Sequence, residues 1–194
     1  MTRLLILLLG LVPLHRALSQ TQPAAVSTSI NGGAAQRSRV TSVSAVFDGD
    51  VGASLKPEDL VLRNLTAGID IPEAAQAVAW DATSRTATWT FPSIANRALP
   101  QGNYLAVVRT PFTPPHGGLA CQANSPLQPD LVFGFHAYFG DHDGDRDVDF
   151  LDTCFLRDTW DLSAIAPRFD AAFDFNLDGS VNAADGPVFQ NNYF

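Results

Sequence analysis

Two twelve-residue stretches, Asp141 to Asp152 and Asp174 to Asp185, constrain this sequence more than any other feature. The first carries a carboxylate at positions 1, 3, 5, 7, 9 and 12: Asp141, Asp143, Asp145, Asp147, Asp149 and Asp152. The second places Asp174, Asn176, Asp178, Ser180, Asn182 and Asp185 at the same positions, 33 residues further on. A twelve-residue calcium loop supplies its oxygens from these positions, position 7 through the backbone carbonyl. Calcium takes roughly six to eight oxygens at about 2.3–2.6 Å. Without a cation the converging carboxylates repel one another, so folding of this segment and binding of Ca2+ at two sites are expected to be coupled.

The register extends beyond the oxygens. Val148 matches Val181, Leu156 matches Phe189 and Trp160 matches Tyr193, leaving apolar residues four and eight positions after each loop's last aspartate. Residues so spaced share one face of a helix. The repeat therefore predicts a short helix after each loop, its apolar stripe packed against its twin.

Charge follows the same division. Twelve aspartates and three arginines between Asp141 and Asp185 give −9 locally, against −8 for the whole chain, so the remainder is close to neutral. Lys56 is the only lysine. No basic footprint for nucleic acid is available.

At the N-terminus, Arg3 precedes an apolar run from Leu4 to Leu14, and Ala17 and Ser19 supply small residues before Gln20. This layout predicts a signal peptide over residues 1–19 and a secreted or cell-surface protein. The run is shorter than the roughly 20 residues of a membrane-spanning helix, so no membrane span is expected after cleavage. Cys121 and Cys154 are compatible with one disulfide, whereas a free buried thiol is the plainer expectation for Cys154 among its apolar neighbours.

Residues 20–39, rich in Ser, Thr and Gly, read as a flexible lead-in, and residues 40–138 as all-β. The clearest strand is Thr86 to Phe91, where Ala87, Trp89 and Phe91 alternate with three threonines. A polar loop from Asp81 to Arg85 joins it to Ala77–Trp80 as a hairpin. Further strands are expected at 40–47, 60–65, 103–109 and 131–138. Short strands at this spacing predict a small β-sandwich. Trp80, Trp89 and Tyr104 are expected in its core.

Residues 30–138 resemble the bacterial immunoglobulin-like domains of large secreted proteins, the likeness resting on 40–47, 57–66 and 99–108. That resemblance implies a spacer or adhesive module. Residues 139–194, with a duplicated loop-then-helix, Asp rather than Glu at position 12 and 33 residues between copies, resemble the dockerin family. The resemblance implies two calcium sites, a compact helix pair, and docking onto a cohesin domain, usually to attach polysaccharide-degrading enzymes or surface proteins to a scaffold. It places the partner-reading residues at loop positions 10 and 11, which are Phe150 and Leu151 in one copy and Ala183 and Ala184 in the other. Position 6 of the first loop is Arg146 where a sharp turn favours glycine, so the first site is expected to be the weaker.

No nucleophile elbow, zinc-binding His-Glu-x-x-His or phosphate-cradling loop is present, and the paired carboxylates are committed to the loops. His136 and His142 read as an isolated strand residue and an exposed loop residue. The expectation is a secreted, non-catalytic protein: mainly β, an immunoglobulin-like sandwich followed by a small α-helical, dockerin-like domain with two EF-hand-type calcium loops, docking onto a cohesin-like partner. The alternative is a structural surface protein whose calcium loops only rigidify the tail.

Overall fold

The computed structural model describes residues 23–109 and 130–193. The signal-peptide segment, residues 1–19, and Cys121 lie outside them. The alternation read at Thr86 is realised as strand β6, Thr86–Thr90, with Ala87 and Trp89 fully buried and the neighbouring Phe91 buried beside them. On one side it pairs antiparallel with β5, Ala77–Asp81, matching Val78 to Trp89. On the other it pairs with β2, Ser42–Phe47, matching Ala45 to Ala87.

Strand β1, Ala25–Ile30, adds to the free edge of β2 and gives the order β1-β2-β6-β5. This corrects the reading of 20–39 as a flexible lead-in. Only Ile30 of that strand is buried, and Val26 faces solvent, so no apolar alternation marks it in the sequence. An edge strand held by ladder hydrogen bonds needs little side-chain burial.

The second sheet has the order β4-β3-β7-β8, formed by β3, Leu60–Asn64, β4, Ile69–Asp70, β7, Gly102–Val108, and β8, Leu131–Ala137, all antiparallel. Val43, Ala45 and Trp89 from one sheet and Leu62, Tyr104, Ala106 and Phe135 from the other share a single core. The Tyr104 ring stacks on Phe135 with centroids 5.0 Å apart. Its hydroxyl donates to the Pro100 carbonyl at 2.6 Å and accepts from Asn64 Nδ2 at 3.1 Å. Burial pushes the phenol up to about 12.

Beyond β8 the chain enters the first loop and then helix α1, Phe150–Thr159. A two-residue strand pair, β9, Leu162–Ser163, with β10, Ser180–Val181, ties the region together before α2, Gly186–Asn192. The fold is thus mainly antiparallel β with two short helices. Phe139, Val148, Phe173, Val181 and Phe189 form a second core, with Leu156 packed against it. The helices meet through these side chains and not along a helix–helix seam. Each helix stops one residue before the position eight after the aspartate, leaving Trp160 and Tyr193 at 38% and 47% exposure, outside the stripe expected for them. Cys154 is free and half-buried.

The two cores are bridged by buried polar contacts. Ser38 Oγ donates to the Ala172 carbonyl at 2.5 Å and accepts from Gly140 N–H at 2.9 Å. Arg39, 7% exposed, donates to the carbonyls of Ala171 and Asn96, each at 2.9 Å. Desolvation holds its guanidinium below the usual arginine value, opposed by the charges of Asp174 and Asp185.

Candidate metal centre

The two loops are built on one hydrogen-bond plan. At position 12, Asp152 accepts from the N–H groups of His142 at 2.7 Å and Asp149 at 2.9 Å. Asp185 accepts from Phe175 at 2.8 Å and Asn182 at 3.0 Å, the same loop positions 2 and 9. At position 1, Asp141 and Asp174 each accept from the N–H of position 6, both at 3.1 Å. Positions 3 and 5 close local turns onto the N–H two residues later in both copies. So do Asp149 and Asn182 at position 9, Asp149 capping α1. The result is a pair of loops whose first and last carboxylates are buried, at 0–3% exposure, while the middle residues face solvent.

Position 4 is left-handed in both copies, as Gly144 (φ +84°) and Leu177 (φ +60°). So is position 6, as Arg146 (φ +90°) and Gly179 (φ +82°). Each loop therefore keeps one glycine and strains one side-chain-bearing residue. A Cβ at Gly144 would collide with the Ala35 carbonyl oxygen, which explains why the first loop spends its glycine there.

The first loop gathers two carboxylate triads, Asp141–Asp143–Asp145 and Asp147–Asp149–Asp152, whose oxygens lie within 4.8 Å of one another. Both triads could hold a metal ion. Lost hydration raises the carboxyls of Asp143 and Asp147 above their ordinary values, with added repulsion from Asp145 and Asp152. The second loop has three carboxylates, two amides and a hydroxyl. There Asp174 Oδ1 is buried with no hydrogen-bond partner. An orphaned carboxylate oxygen beside other inward oxygens, in a donor set without nitrogen or sulfur, fits a hard cation.

His136 and His142, read as isolated, are both tied to this centre. His136 is 4% exposed and its Nε2 lies 2.6 Å from Asp141 Oδ2. His142 Nε2 lies 2.7 Å from Asp170 Oδ2, and its ring stacks between Phe155 and Phe173. That bond holds the Asp170 carboxyl below its usual value. A histidine five residues before the first aspartate gives no recognisable spacing signal. Phe150, Leu151, Ala183 and Ala184 are all exposed, Phe150 at 67%.

No family model and no curated protein matches the chain. Among solved structures, it is similar to a C-terminal-interface mutant of a type II cohesin–X-dockerin complex from Acetivibrio cellulolyticus, at 11% identity and TM-score 0.28, covering 69% of this chain and 80% of that one. An N-terminal-interface mutant of the type II complex from the same organism matches at 14% identity and TM-score 0.27, covering 79% and 95%. Likenesses this distant carry no weight for function. Among the described residues no helix is long and apolar enough to cross a membrane.

Proposed function

We propose that this chain is a secreted or surface-held, non-catalytic protein in which an immunoglobulin-like sandwich carries a dockerin-like calcium module at residues 139–194. Each loop would hold one Ca2+ through positions 1, 3, 5, 7, 9 and 12, with Asp152 or Asp185 closing the shell. The bound ion supplies only charge neutralisation and cross-linking of the loop. Phe150, Leu151, Ala183 and Ala184 then present the face that docks onto a cohesin-like domain.

The observation that carries this reading is the shared hydrogen-bond plan of the two loops, copied at an offset of 33 residues. Calorimetric titration of the full chain with calcium tests it. A stoichiometry near two supports the reading, and no binding overturns it. Capture on an immobilised cohesin domain, present with calcium and lost with chelator, tests the docking step.

A structural role is the second reading, favoured by the Ser38 and Arg39 contacts that tie the loop region to the sandwich. Calcium would then raise the melting temperature while no cohesin is captured at any calcium concentration.

A further inference from the structure

A cleft of about 280 Å³ opens between the sandwich and the first loop, lined by Thr66, Gln101, Tyr138, Arg146, Asp147 and Asn192. This volume is at the low end of small-molecule pockets, about 300 Å³, and suits one or two rings. Arg146 is the anomaly in its wall. The chain accepts a left-handed arginine where the second copy has Gly179, yet its guanidinium makes no hydrogen bond or ion pair among the described residues. It does not neutralise the six carboxylates of its own loop.

The Gln101 amide and the Tyr138 hydroxyl, on the same walls, likewise have no partner among the described residues. Asn192 is held in place by donating from Nδ2 to the Phe139 carbonyl at 2.7 Å. Arg146 offers only donors, Asp147 only acceptors, and Gln101 and Asn192 both. That mixture matches vicinal hydroxyls, each of which donates and accepts. Tyr138 adds an aromatic ring of the kind that packs against the C–H face of a sugar. The charges of Arg146 and Asp147 cancel, and the surrounding aspartates repel anions.

We infer that this cleft binds a short neutral saccharide. The site is separate from the docking face and does not depend on what that face binds.

The test is chemical-shift mapping and calorimetry of the full chain with xylobiose, cellobiose and mannobiose, and with digalacturonate as the anionic arm, in calcium and in chelator. At least one neutral disaccharide should bind and shift the amides of Gln101, Tyr138 and Arg146. Arg146→Gly, which restores the glycine of the other copy, and Gln101→Ala, in an exposed turn, should each weaken binding by about tenfold, the loss expected for a hydrogen bond to a charged or planar donor. Calcium stoichiometry should be unchanged in both variants.

The inference is overturned by the absence of shifts at the cleft with all three neutral sugars, by binding that both variants leave intact, or by tighter binding of digalacturonate. A chain that takes calcium and ignores sugars rejects the cleft alone. A chain that binds the sugar through these residues but ignores calcium supports the cleft and rejects the metal reading.

Discussion

His136 Nε2 lies 2.6 Å from Asp141 Oδ2, so a side chain of the last sandwich strand holds the first oxygen-bearing residue of the first loop. Asp141 is fully buried and also accepts from the N–H groups of Gly144 and Arg146. Replacing the histidine removes one donor from a buried carboxylate. His136→Ala should cost about 1–3 kcal/mol in urea unfolding with chelator present. If Asp141 ligates calcium, affinity at the first site should fall about 10-fold or more while the second is unchanged, because an outer hydrogen bond orients the ligand.

Backbone strain in the two loops predicts gains from glycine. Arg146→Gly and Leu177→Gly should each stabilise the metal-free chain by about 1 kcal/mol, as both residues have left-handed φ. Gly179→Ala should lose a similar amount, and Gly144→Ala more, since its Cβ has no room beside Ala35. Thermal melts of the four variants check the order.

Ser38 joins the sandwich to the loop region through two buried hydrogen bonds. Ser38→Ala should cost about 1–3 kcal/mol and leave the Ala172 carbonyl and Gly140 N–H short of a partner. Unfolding followed separately by near-ultraviolet circular dichroism and by loop amide exchange should lose coincidence in the variant, with the loop region opening first.

Tyr104 gives the protein an alkaline limit. Its phenol titrates near 10 when unfolded and is pushed up to about 12 in the fold. Native Tyr104 keeps its proton while the unfolded chain releases it, so the stabilising contribution is complete below pH 10 and lost as pH rises towards 12. Tyr104→Phe should flatten that part of the stability–pH curve, at a cost of about 1–2 kcal/mol at neutral pH from the lost bonds to Pro100 and Asn64.

The fold was legible in the sequence wherever side-chain pattern and backbone geometry coincide. The threonine–apolar alternation of 86–91 identified β6 and its inward face, because strand period and burial are one constraint there. The loops were legible because ligand chemistry fixes residue type at each position. Strand β1 was not, since its hydrogen bonds to β2 involve backbone alone. The partners of His136, Ser38 and Arg39 were hidden for another reason: each contact joins segments brought together only by the completed fold, 134 residues apart for Ser38 and Ala172. The +8 apolar positions misled because a stripe of matched residues does not reveal where a helix ends.

Only Tyr138, Phe139 and Gly140 separate β8 from the first loop, and Phe139 is buried in the second core. Tyr138 N–H donates to the Arg37 carbonyl at 3.0 Å, and Arg37 N–H donates to the Asp141 carbonyl at 2.8 Å, so both ends of that connection are pinned to one strand of chain. There is no slack for a swivel. Whatever engages the outer side of the helices meets it at an angle set by the sandwich, which makes the β-domain a handle that aims the module as well as a weight attached to it.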